Sequence, residues 1–495
     1  MICISIALES RRMALADMVT AGHQCDLLEV RLDRFAKAPD VGELLTHKHR
    51  PIIFSCRRRQ DGGEWDGPEE ERLALLRQCI VSKADYVEIE LDVADQIRPF
   101  PPTKRVISYT NFQQTPPEIA DICAEARTRH ADVIKLVTLA RTPEEAWPLL
   151  QVLAKPALPT VVVGLGKPGV MLTVLGKKIG SPWTYAALGK GLEAYPGQPT
   201  VRELNEVYHY PAVGRSTRLI GVTGFGPREY ATVALLNAAF AHHGLPARCL
   251  PLGVGSVGLF RRVMDAVHLG GVVVDAEHQT TVPGIATELE TAAQEAHAVD
   301  LLLPRGNGWR GCNTLAPAAV AALEAALCAR SPADEPLRGR MVMVVGANAP
   351  ARALAGAVQR RGGLLTVASY HRDRAQQLAQ ELQCRQIQFE ALYTTAHEVL
   401  VVCDDESVEA KAGRSAGRSG IHAGYLRPDM AVMDLTGAGG TTALLREAQT
   451  RGCNTIAPRR VLLQQVATQA RLLSGKETPG EVLEQTLAGV MDEDF

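Results

Sequence analysis

The chain has 495 residues, 46% of them apolar and 22% charged, with a formal net charge of −2. That balance excludes a disordered chain, and near-neutrality leaves no electrostatic footprint for nucleic acid or an anionic membrane, so a small molecule is the expected partner. At this length about three domains are expected. The eleven cysteines form no Cys-x-x-Cys pair, which points to reduced thiols and to no metal site. Met1 to Ile6 opens as a strand and not as a basic leader, and no uncharged apolar run is long enough to span a bilayer. A cytoplasmic location is the expectation.

Short apolar runs alternate with helical segments over the first 210 residues: Ile2 to Ile6, Leu27 to Leu32, Pro51 to Cys56, Tyr86 to Leu91, Arg105 to Tyr109, Val133 to Val137, Pro159 to Val163 and Trp183 to Ala187. Eight βα units in that length predict a (β/α)8 barrel, although a doubly wound sheet also fits the alternation. Polar residues gather at the C-terminal ends of these strands, where a barrel places its site: Glu29 and Arg31, Arg57, Thr110 and Asn111. Lys135 lies inside the sixth run, Val133-Ile134-Lys135-Leu136-Val137. A strand covered on both faces is apolar almost throughout, and desolvation there favours a neutral amine, the form that attacks a carbonyl. The alternative is a lysine that snorkels to solvent from a strand end.

Glu29-Val30-Arg31-Leu32-Asp33, Ser55-Cys56-Arg57 with Asp61-Gly62-Gly63-Glu64, Lys135, and Pro196-Gly197-Gln198 resemble type I 3-dehydroquinate dehydratase over the whole first segment. The resemblance implies that Lys135 forms an imine with the ketone of dehydroquinate, with no cofactor. Glu29, Arg31, Arg57, Asp61 and Gln198 would line the substrate. Four positions depart from the family, the mildest being Asp61 where the family often has glutamate. Thr110 stands where the proton-shuttling histidine is expected, Thr173 where an arginine grips the carboxylate, and Ala194 where a serine precedes Pro-Gly-Gln. A hydroxyl does not titrate near neutral pH, and a positioned acid–base group contributes about 10² to 10⁴ in rate.

Tyr210 to Thr217 is a Pro/Gly-containing connector, after which residues 218–330 and 337–495 each carry a further α/β pattern, with a break at Ser331 to Pro336. The strand Met341 to Val345 runs into Gly346-Ala347-Asn348-Ala349-Pro350-Ala351-Arg352 and then an apolar helix, the layout of a Rossmann-like nucleotide domain. With Asp434, Thr442 and Gln465, this order resembles shikimate dehydrogenase. The whole chain is thus similar to the fused dehydratase–dehydrogenase of the shikimate pathway, with 1–210 as the barrel, 218–330 as a substrate lobe and 337–495 as a nucleotide lobe. NADP is the cofactor implied for the second half, with Gly346, Asn348, Ala351 and Arg352 at its turn and Asn313 and Gln465 toward substrate. The family's proton-relaying lysine and aspartate are Gln279 and Leu315 here, and its serine pair is Tyr230 and Thr232. Two readings follow: a dehydratase with a dehydrogenase-like half inactive toward shikimate, or a binding protein that senses pathway metabolites.

Overall fold

The computed structural model describes residues 1–330, 332–403, 420–437 and 440–491, so Ser331 and the end of the third segment lie outside the described residues. By internal contacts the chain divides into two compact units. The first comprises Met1–Arg218 with Leu252–His268, the second Leu219–Pro251 with Leu269–Phe495. Among the described residues no helix is long and apolar enough to cross a membrane.

The first unit is a nearly closed parallel barrel. Its strands are β1 (Ile2–Ile6), β2 (Leu27–Arg31), β3 (Ile52–Ser55), β4 (Tyr86–Glu90), β5 (Lys104–Asn111), β6 (Val133–Leu139), β7 (Thr160–Leu165) and β8 (Thr184–Ala186). Hydrogen bonding runs in the order β7-β6-β5-β4-β3-β2-β1-β8. β-Branched residues dominate β6 and β7, as strands buried on both faces require. Side chains alternate along a strand, so the inner face can be read in steps of two. Its lower layer is apolar and includes Cys3, Leu27, Ile53, Val106, Val133, Val161 and Trp183, with Tyr86 packed against them. Two residues further along the same strands come Ser5, Glu29, Ser55, Ser108, Lys135 and Glu88. An apolar floor therefore carries a polar layer directly above it. Trp183 and Tyr86 close the floor edge to face, with ring centroids 5.6 Å apart.

The second unit holds two sheets. The first contains β9 (Arg218–Thr223), β10 (Ala247–Leu252), β11 (Val272–Val273), β12 (Glu288–Leu289), β13 (Leu301–Arg305) and β14 (Gly308–Cys312), in the mixed order β10-β9-β11-β13-β14-β12. The second contains β15 (Met341–Val345), β16 (Leu364–Ser369), β17 (Arg385–Gln388), β18 (Val399–Val402), β19 (Ala431–Asp434) and β20 (Asn454–Ile456). Its order, β17-β16-β15-β18-β19-β20, is that of a doubly wound nucleotide fold, all parallel.

Candidate active site

Lys135 is 2% exposed, so it does not reach solvent. Its Nζ donates to Glu29 Oε1 at 3.0 Å and to Glu88 Oε2 at 2.9 Å, and lies 4.3 Å from the centroid of the Tyr185 ring. The nitrogen is thus shut away from water and held between two carboxylates. Glu29 is the partner expected from the sequence, and Glu88 is an addition to it. Arg57 completes the group, its Nη2 donating to Glu29 Oε1 at 2.6 Å and to Glu88 Oε2 at 3.1 Å. Burial would raise the Glu29 pKa, but Arg57, Lys135 and Arg31, with a hydrogen bond from Ser5, hold it well below the usual carboxylate range. Burial likewise opposes the charge on Arg57, yet Glu29 and Glu88 hold its pKa well above the ordinary value.

Glu88 was not singled out by any motif, although Tyr86-Val87-Glu88-Ile89-Glu90 offers a signal. An acid at the third position of an otherwise buried strand points inward beside the strand-two acid, and an unpaired charge there would be costly. Arg31 sits at the rim. Its Nε and Nη2 grip Asp33 at 3.0 and 2.7 Å, and Nη2 also reaches Gly62 O at 3.2 Å. Asp33 in turn accepts from the backbone N–H of Arg57 at 3.1 Å and of Glu64 at 3.0 Å, tying the loop after β3 to the end of β2. Gly63 makes that loop feasible, since a Cβ there would lie 1.9 Å from the Arg57 carbonyl oxygen.

A cavity of about 450 Å³ opens above this layer, lined among others by Glu29, Arg31, Arg57, Lys135, Tyr185 and Gln198. Gln198 is buried, and its Oε1 accepts from Ala194 N at 2.6 Å. Asp61 is not among the lining residues; its carboxylate takes Arg58 Nε at 2.6 Å. Thr110 pairs in register with Val137, which lines the cavity, two residues beyond the Ser108–Lys135 pair. Thr173 lies in the helix Val170–Ile179 and is not a lining residue.

In the second unit a cavity of about 250 Å³ is lined by residues of both sheets' loops, including Arg228, Gln279, Leu315, Asn348, Thr436 and Gln465. Gln279 and Leu315, the positions without a proton relay, thus face one space. Asn313 is absent from the lining; its carboxamide donates to Ala298 O at 3.2 Å and accepts from Ala316 N at 3.1 Å. Asp300, unremarked in the sequence, is fully buried. It accepts from Thr314 N, Leu315 N and Gln465 Nε2 at 2.8, 2.7 and 3.3 Å. Burial outweighs those bonds and pushes its pKa up to about 6. His278 Nδ1 lies 2.8 Å from Asp275 Oδ1.

At the nucleotide turn, Gly346 has φ +123°, a value that a side chain disfavours. Asn348 caps the helix Ala349–Arg360, its Oδ1 accepting from Ala351 N at 3.0 Å and its Nδ2 donating to Cys403 O at 2.7 Å. Pro350 brings no N–H, and Arg352 is paired with Glu381. At this helix start the Ala351 N–H is taken by the Asn348 cap and Pro350 has none, so two of the donors that a pyrophosphate can use are withdrawn.

Residues 2–214 match the family described as type I 3-dehydroquinase. A 3-dehydroquinate dehydratase of Methanopyrus kandleri is 36% identical over 192 residues, covering 37% of this chain and 86% of that protein. The chloroplastic bifunctional 3-dehydroquinate dehydratase/shikimate dehydrogenase of Arabidopsis thaliana is 25% identical over 485 residues, covering 94% of this chain and 80% of the relative. The solved dehydroquinate dehydratase and shikimate dehydrogenase of S. pombe AroM matches 98% of both chains at 19% identity, with a TM-score of 0.43. The barrel that seats Lys135 spans the matched residues, and the likeness to the bifunctional plant protein runs on through the second unit: the chain belongs to the type I 3-dehydroquinase family, in its fused form.

Proposed function

We propose that the first unit dehydrates 3-dehydroquinate to 3-dehydroshikimate through a Schiff base on Lys135. The observation that carries this reading is the buried Nζ at the floor of a cavity, in contact with two carboxylates. Transfer of an ammonium proton to Glu29 or Glu88 frees the nitrogen lone pair, which adds to the ketone carbon. The carbinolamine loses its hydroxyl as water and leaves a protonated imine, which draws electrons from the neighbouring C–H bond. That proton leaves to a base, the hydroxyl one carbon further departs as water, and hydrolysis of the imine returns the free lysine and the enone. Arg31, fixed by Asp33 at the rim, meets the substrate carboxylate, and Gln198 meets a hydroxyl. With Thr110 in place of an imidazole, elimination runs slower by about 10² to 10⁴.

The second unit, in this reading, binds a pathway metabolite without oxidising shikimate. Residues 218–330 act as a substrate lobe, and 337–495 as a nucleotide-type lobe whose turn is capped by Asn348. Gln279 and Leu315 cannot relay the proton that alcohol oxidation releases, and no step is routed through NADP.

Incubation of the full chain with dehydroquinate and borohydride tests the first unit. Mass spectrometry is expected to find a reduced adduct on Lys135. An unmodified lysine with ligand bound would support the other reading, in which Glu29 and Glu88 hold Lys135 as a purely binding cation.

A further inference from the structure

Tyr185 lies on β8 two residues beyond Trp183, so it shares the inward face of the barrel. It is 4% exposed and lines the cavity, and Lys135 Nζ lies 4.3 Å from its ring centroid. Among the described residues its hydroxyl has no hydrogen-bond partner. An unpaired buried hydroxyl is costly, and one kept beside a reactive amine calls for a role there. The cavity offers few other groups for the proton chemistry of elimination. Among the described residues no histidine lines it, and Thr110, at the position expected of an acid–base group, is not a lining residue. The Ser5 hydroxyl is committed to Glu29, which three cations hold well below the usual carboxylate range. Burial, then Glu29 and Glu88, push the Tyr185 phenol well above its ordinary value, so it keeps its proton. A neutral hydroxyl carries a donor and an acceptor on one oxygen.

We propose that the Tyr185 hydroxyl relays the proton of the elimination step, accepting it from the carbon beside the imine and passing its own to the departing hydroxyl. The inference rests on the Schiff-base reading of the first unit and adds a catalytic residue to it. The proton and the hydroxyl leave adjacent carbons, within reach of one oxygen. The C–H electrons flow into the protonated imine and give an enamine, while that proton joins Tyr185 Oη. The phenol's own O–H bond breaks toward the departing hydroxyl, which leaves as water with the C–O pair, and the enamine electrons restore a conjugated protonated imine. Tyr185 ends as the neutral phenol it began as, and the layer gains no charge. A phenol, with an ordinary pKa of about 10, matches neutral pH less well than an imidazole, so this relay is the slower of the two.

The test compares the full chain with its Tyr185→Phe variant, which keeps the ring beside Nζ and removes only the oxygen. Steady-state dehydration of dehydroquinate is expected to fall by about 10². Borohydride is expected to modify Lys135 to the same extent in both proteins, which also reports that the variant folds. The variant's adduct should retain the hydroxyl that the parent's adduct has lost, and so be heavier by one water. Because the deleted hydroxyl has no partner, the variant's denaturant midpoint is expected to be equal or higher. An unchanged rate, or a dehydrated adduct formed as fast as in the unsubstituted protein, overturns the relay and leaves the Schiff base standing. A clear loss of stability also overturns it, since the hydroxyl would then serve the fold. No adduct in either protein overturns the Schiff-base reading and the relay with it.

Discussion

Glu88 Oε2 accepts from Lys135 Nζ at 2.9 Å and from Arg57 Nη2 at 3.1 Å, so one oxygen bridges the reactive amine and the arginine beside it. Glu29 Oε1 does the same from the opposite strand, at 3.0 and 2.6 Å. Arg57, Lys135 and Arg31 hold Glu29 well below the usual carboxylate range, and Glu88 is the other carboxylate that touches the amine. Glu88→Gln keeps the shape and removes that base. The expected result is a fall in the rate of borohydride-trapped adduct of about 10² or more, with dehydroquinate affinity changed far less. A trapping rate equal to that of the unsubstituted protein would assign the proton to Glu29.

Thr110 shares the inward face of β5 with Ser108, whose partner across the ladder is Lys135. Thr110→His puts an imidazole, with an ordinary pKa of about 6.5, on that face. Steady-state dehydration is expected to rise by about 10² to 10⁴, with a new ionisation near neutrality in the kcat profile. No gain would mean that the space above Lys135 is shaped for a different ligand.

Burial pushes Glu90 up to about 7, against the opposing pull of Arg72. Arg72 Nη1 contacts both carboxylate oxygens of Glu90 and the Cys56 carbonyl, and its Nη2 holds Glu69 at 2.7 Å, so it keeps a partner when Glu90 is protonated. Between the unfolded value of 4.5 and about 7, the folded protein holds the extra proton. This contribution is therefore fully present below that window and is lost as pH rises through it. Comparing urea midpoints at pH 5 and pH 8, Glu90→Gln is expected to remove a drop of up to about 3 kcal/mol. An identical pH dependence in the variant would show that Glu90 stays ionised throughout.

Arg228 is a half-buried cation whose basicity burial lowers and whose Nη2 is bonded to the neutral Gln465 Oε1, so it is a burden on stability. Arg228→Met is expected to raise the unliganded unfolding free energy by about 1 kcal/mol or more, read from denaturant midpoints. A clear loss would mean that the Arg228–Gln465 bond at 2.8 Å outweighs the desolvation.

The eight barrel strands were legible because runs buried on both faces carry their pattern locally, and β1 to β8 fall on the eight apolar runs. The placement of Lys135 was legible for the same reason. Its environment was not: Glu88 is 47 residues away in sequence, and only the parity of β4 against β6 brings it to Nζ. The segment Leu252–His268 was equally opaque, since it groups with the first unit through contacts such as Ser256 N to Glu144 Oε1 at 2.9 Å, 112 residues apart. Asn348 shows a different limit. Its place in the turn could be read from the chain, but its use as a helix cap, which spends the Ala351 N–H, depends on a rotamer. Arg228 went unnoticed because it precedes the stretch where the resemblance directs attention.

Glu29, Arg57, Glu88 and Lys135 together hold two formal positive and two formal negative charges within one enclosed layer. A protonated imine keeps its plus sign on the same nitrogen, so covalent capture of a ketone leaves that tally at zero. Deleting the lysine does not, because it seals one surplus anion inside the barrel, a defect that typically costs about 3–5 kcal/mol. Chain variants altered at position 135 should therefore disappear from soluble extracts before their loss of turnover can be measured, whereas Lys135→Met paired with Glu88→Gln should persist.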